Sequence, residues 1–121
     1  VAGHIHFDET YNDAVIRETL EETGINIESF KLYKLGVYHS KSIHDKITDN
    51  EFHYTYVLEN KKELINIGFK NDEVEELKLI PIKEMESLVC KGLKNYFIGK
   101  NKDYYFDVIS EIKKRTTKNY L

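Results

Sequence analysis

A chain of 121 residues with 40% hydrophobic and 12% aromatic content is long enough for one folded domain, expected over 1–121, and too aromatic for a disordered segment. Its net charge of -3, with cations that are nearly all scattered lysines, offers no basic face for nucleic acid, and no stretch has the length of a membrane-spanning helix. A single cysteine, Cys90, excludes an intrachain disulfide and a cysteine-rich zinc site, and no signal peptide precedes the first motif, so a soluble, cytoplasmic protein of a reducing compartment is expected.

In chain order, Thr10 is placed to cap a first helix, with Asp13 as a weakened capping box. That helix should run to about Thr23, where Gly24 suits a C-terminal position with positive φ. Two runs then read as strands, "FKLYKLGVYHS" and "EFHYTYVLE". In the second, Phe52, Tyr54, Tyr56 and Leu58 alternate with Glu51, His53, Thr55 and Val57. The polar "KSIHDKITDN" between them is expected as a loop. "EELKLIPI" reads as a further strand ended by Pro81, followed by a helix through "KEMESLVCKGL" on which Cys90 is expected to pack. Tyr105, Val108, Ile109 and Ile112 follow the i, i+3, i+4, i+7 spacing of a last helix, whose "KKRTTK" end should be solvated. The nine tyrosines are expected chiefly in the core rather than stacked on a substrate base. Helices flanking a set of strands indicate an α/β or α+β sandwich.

The first helix concentrates the chemistry. At about 100° per residue, Glu18, Glu21 and Glu22 project within an arc of roughly 100°, while Ile16 and Leu20 point the opposite way as a surface to bury. Like charges at this spacing destabilise a helix unless something offsets them. Arg17, four residues from both Asp13 and Glu21, can brace them from the flank. Spacing alone fits a solvated, salt-bridged helix as well as it fits a site for a hard divalent cation such as Mg²⁺ or Mn²⁺.

The stretch "GHIHFDETYNDAVIRETLEETGI" resembles the Nudix box, G-x5-E-x7-R-E-U-x-E-E-x-G-U with U aliphatic. Gly3, Glu9, Arg17, Glu18, Glu21, Glu22, Gly24 and Ile25 occupy matching positions, and only Thr19 departs, standing where an aliphatic residue is usual. Chance agreement across the invariant letters is on the order of one in a million. The resemblance implies an α/β/α sandwich with a mixed sheet that hydrolyses a nucleoside diphosphate linked to another group, using Mg²⁺ or Mn²⁺. Carried over, Glu18, Glu21 and Glu22 would hold metal, and the Gly3 carbonyl would add a ligand. Glu9 and Gly24 would brace the loop–helix–loop. Arg17 would support the catalytic carboxylates Glu18 and Glu21, and Glu73 in "NDEVEEL" is a candidate general base.

A narrower resemblance lies in the flanks. Ala2-Gly3-His4, with Asp49-Asn50-Glu51 later, is similar to the isopentenyl-diphosphate isomerase branch of Nudix folds, in which the first segment reads Cys-Gly-His. His4 and Glu51 thereby become candidate metal ligands, while Asp49 is also ordinary turn chemistry. Ala2 replaces the catalytic cysteine and cannot move a proton, so hydrolase machinery is expected in place of isomerase chemistry. The other histidines, His6, His39, His44 and His53, are expected on the surface or partly packed.

The resemblance covers residues 1 to about 90, with no strands before the box, so an N-terminally incomplete domain with an exposed sheet edge, prone to homodimerisation, is expected. The expected activity is metal-dependent hydrolysis of a small-molecule diphosphate. An isomerase-like enzyme and a non-catalytic nucleotide-sensing module are the alternatives.

Overall fold

The computed structural model describes residues 1–60, 66, 68–91 and 102–118. They fall into two compact units, residues 1–31 with 58–79, and residues 32–57 with 80–121.

The first unit is built on α1, Tyr11–Thr23. Thr10 starts it as expected: its backbone is extended, at φ -80° and ψ 164°, and its Oγ1 accepts the Asp13 N–H at 3.1 Å. Gly24 ends it at φ 76°, donating its N–H to the Leu20 carbonyl at 2.9 Å. A side chain is excluded there twice over, since a Cβ on Gly24 would also fall 2.9 Å from the Phe69 ring. Thr19 is accommodated by the helix itself, its hydroxyl donating to the Val15 carbonyl at 2.6 Å.

The covered face of α1 differs from expectation. Ala14, one turn below Glu18, is buried, whereas Leu20 on the opposite side is 46% exposed. The reason is the segment before the helix, which lies along the carboxylate face, as its hydrogen bonds show below.

The second unit contains the sheet, an antiparallel pair of β1 (Leu32–His44) and β2 (Ile47–Leu58). The expected loop at 41–50 is instead the end of a long hairpin. Its two-residue turn is Asp45-Lys46, with Asp45 at φ 54°, a left-handed conformation that aspartate tolerates better than most residues. This turn sets His39 opposite Phe52, and their rings stack at 4.9 Å. Thr55 is the buried residue of β2 while Phe52 is 61% exposed, so the aromatic alternation does not mark the core side. His39 and His53 are exposed, as expected.

Residues 75–81, expected as a strand, form no ladder among the described residues, and Leu79 is 67% exposed. An apolar run makes a strand only where an edge accepts its hydrogen bonds and a face buries its side chains. The next helix, α2, is Ile82–Lys91, and it buries Leu88 and Val89. Cys90 is exposed rather than packed, because the helix turns it about 100° from Val89 and about 200° from Leu88. The end of the expected helix, Gly92 and Leu93, lies outside the described residues.

The last helix, α3 (Lys102–Lys118), packs on α2 and β1 with Ile109 buried. Tyr38 of β1 donates its hydroxyl to Asp107 Oδ2 at 3.0 Å and meets the Tyr104 ring edge-on at 5.2 Å. The basic end of α3 is only partly solvated: Lys113 pairs with Glu86, and the Arg115 guanidinium lies 3.7 Å from the Tyr33 ring centroid. Among the described residues no helix is long and apolar enough to cross a membrane.

Candidate functional site

Arg17 organises the first unit. Its Nε and Nη2 donate to the two Glu9 carboxylate oxygens at 3.1 and 2.7 Å, a forked pair that only a guanidinium can make. Nη2 also donates to the His4 carbonyl at 2.8 Å. From its other side, Nη1 reaches Glu18 Oε1 at 2.8 Å and Glu21 Oε2 at 3.3 Å. One cation thus fastens the segment before α1 and holds two helix carboxylates.

Glu9 completes the anchor by accepting the His6 N–H at 2.8 Å. The Arg17 hydrogen bonds, then the His6 N–H, lower its pKa from 4.5 to about 2. The hydrogen bonds to Glu9, foremost, and to Glu18 raise the pKa of Arg17 in turn.

Gly3 lies directly against Glu18. A Cβ on Gly3 would sit 1.9 Å from the Glu18 carboxyl carbon, so this glycine is required for close approach. The Glu18 side chain is only 14% exposed there, against 50% for Glu21. Next along the segment, the Ala2 N–H donates to Glu22 Oε2 at 3.2 Å.

Beside these contacts lies an open cavity of about 400 Å³ lined by Ala2, Gly3, His4, His6, Arg17, Glu18, Glu21, Glu22 and Glu73. A neighbouring hollow of about 570 Å³ is larger, lined by Val1, Glu22, Thr23 and Glu73 to Leu77. It holds neither Arg17 nor Gly3, so the smaller cavity is the better site for anion and metal chemistry. The structure therefore brings together Gly3, His4, Arg17, Glu18, Glu21, Glu22 and Glu73, with Glu9 bracing from behind and Gly24 closing the helix. Glu51 belongs to the other unit, on β2, where its carboxylate lies 3.4 Å from His53 Nε2.

The side-chain acceptors of the residues lining this cavity are chiefly carboxylates, the ligands that hard divalent cations prefer. Among the described residues no three acidic, histidine or cysteine side chains already converge as ligands. Glu18 and Glu21 are turned to Arg17, and Glu22 to the Ala2 N–H. Their donor chemistry fits Mg²⁺ or Mn²⁺, and here Arg17 supplies positive charge to Glu18 and Glu21 while the Ala2 N–H satisfies Glu22 by a hydrogen bond.

Sequence reasoning missed Asn71. Its Nδ2 donates to the Glu21 carbonyl at 2.7 Å, and its Oδ1 accepts the N–H groups of Glu73 and Val74, each at 2.9 Å. The Asn-Asp dipeptide is a turn signal, but nothing local tells that the turn reaches back fifty residues to a helix end.

Comparison with known proteins identifies the arrangement. The NUDIX domain profile matches residues 1–97, and the chain belongs to the Nudix family. It is 36% identical over 96 residues to an uncharacterized Nudix hydrolase of Clostridium acetobutylicum, an alignment covering 79% of this chain and 46% of that protein. The chain thus spans about half the length of the curated relative it matches. No solved structure matches it significantly.

Proposed function

We propose that this chain carries the catalytic centre of a hydrolase that cleaves the diphosphate linkage of a nucleoside diphosphate derivative with the help of Mg²⁺ or Mn²⁺. The observation that carries this reading is the shared cavity, in which Glu18, Glu21, Glu22 and Glu73 stand around Gly3 and His4. Two phosphate charges and several carboxylates cannot share so small a space without cations between them.

Glu18, Glu21 and Glu22 would hold the metal, with the Gly3 carbonyl and His4 beside them. Bound metal supplies charge withdrawal from the phosphoryl oxygens and a lowered pKa for water. Glu73 would accept the proton of the attacking water while a phosphorus–oxygen bond of the anhydride breaks and the displaced phosphate leaves. Arg17 would keep Glu18 and Glu21 in place. Glu51 joins this proposal as a further metal ligand on resemblance alone. A single-domain α/β/α sandwich with a mixed sheet over 1–121 joins it with the family match as support, whereas a cytoplasmic setting and a homodimer rest on sequence reasoning alone, from the single cysteine and an exposed sheet edge.

Isomerase chemistry is disfavoured because Ala2, at the cavity wall, has no proton to exchange. The deciding experiment incubates the protein with Mg²⁺, a panel of nucleoside diphosphate derivatives, and isopentenyl diphosphate. Release of phosphate or a nucleoside monophosphate is expected. An allylic diphosphate product would replace hydrolysis by isomerisation, and nucleotide binding without turnover would leave a sensing module.

A further inference from the structure

We infer that Asn71 is a positioning residue that latches the Glu73 turn to the end of α1 and so keeps Glu73 at the carboxylate cavity. This rests on the hydrolase reading above, in which Glu73 takes a proton from water.

The latch begins with an unfilled helix carbonyl. Glu21 lies in the last turn of α1, where carbonyls lose their i+4 partners. The N–H of Ile25, which would ordinarily serve Glu21, is given to Thr23 Oγ1 at 3.2 Å. Asn71 Nδ2 takes its place at 2.7 Å. Meanwhile Asn71 Oδ1 gathers the N–H groups of Glu73 and Val74, and the Asn71 N–H closes the turn on the Val74 carbonyl at 3.0 Å.

Only a side-chain amide offers both a donor for the carbonyl and an acceptor for two amides in one plane. Aspartate would keep the turn but aim a carboxylate at the Glu21 carbonyl. Phe69 holds the same segment two residues earlier, its ring against Gly24. Losing the Asn71 donor therefore leaves the loop attached at Phe69 and frees Glu73 to shift. A displacement of about 1 Å of a reacting group costs roughly a hundredfold in rate.

The test uses the full chain carrying N71D or N71A, each alone and with E73Q. Turnover with Mg²⁺ is resolved into kcat and KM, and amide hydrogen exchange is followed at Glu73 and Val74. N71D is expected to lower kcat roughly ten- to a hundredfold with KM little changed. It should add nothing in the E73Q background, because Asn71 acts through Glu73. N71A should also speed exchange at Glu73 and Val74 by about tenfold or more. If N71A fails to fold, N71D, which keeps the turn, carries the kinetic comparison. An equal kcat loss from N71D with and without Glu73, or unchanged exchange in N71A, would overturn the latch. A chain that hydrolyses no diphosphate defeats the hydrolase reading instead, and the exchange measurement then decides the latch on its own.

Discussion

The Glu18 carboxylate occupies the space beside Gly3 that any side chain would fill, 1.9 Å from where a Gly3 Cβ would stand. The first glycine of the box and the first glutamate of its acidic triplet are therefore one structural unit, joined across fifteen residues of sequence.

Gly3→Ala tests that unit. The atoms it would strike are the far end of a flexible side chain, so Glu18 can swing away and the fold should survive. Thermal melting should move by only a few degrees, while kcat falls roughly a hundredfold as the carboxylate leaves its place. A variant with wild-type turnover would separate Gly3 from the chemistry.

Arg17→Lys keeps the charge but loses the fork to Glu9, so the segment before α1 should loosen. The expected result is a lower melting temperature together with faster amide exchange at His6, whose N–H is held by the Glu9 carboxylate. Unchanged exchange would show that charge alone holds the segment.

Glu9 gives the pH dependence. Its folded pKa of about 2 lies below the ordinary 4.5, so protonation favours the unfolded chain. The stability it contributes is complete above the unfolded value and disappears as pH falls from about 4.5 to about 2. Carboxyl-carbon NMR should place the Glu9 midpoint near 2 in the wild type, and Arg17→Lys should raise it. A wild-type midpoint at 4.5 would contradict the fork.

Two adjacent residues of α2 should behave oppositely. Val89 is fully buried, so Val89→Ala should cost about 2 kcal/mol through its cavity and lost contacts. Cys90 is exposed, and Cys90→Ala should stay within about 0.5 kcal/mol. Denaturant unfolding of the two variants checks both.

The parts legible in the sequence were those fixed by short-range chemistry. Thr10 and Gly24 bounded α1 because caps depend on their own side chains and φ angles. The box residues clustered because one helix and one short segment carry most of them. Long-range packing was not legible. Leu20 looked like the buried face, yet Arg17 and Gly3 draw the preceding segment onto the carboxylate side. The polar run at 41–50 hid a hairpin whose turn hangs on one aspartate at φ 54°. Residues 75–81 had strand composition without a pairing edge among the described residues, and Asn71 needed a partner fifty residues away.

The central claim is that Glu18, Glu21 and Glu22 hold a divalent cation in the cavity beside Gly3. Electron paramagnetic resonance of Mn²⁺ tests it most directly, by following loss of the free-ion signal on titration with protein. The wild type should bind Mn²⁺, Glu84→Gln at an exposed position of α2 should bind it equally, and Glu22→Gln should weaken binding by roughly tenfold or more. Equal binding by the wild type and Glu22→Gln, or none by either, would contradict the account.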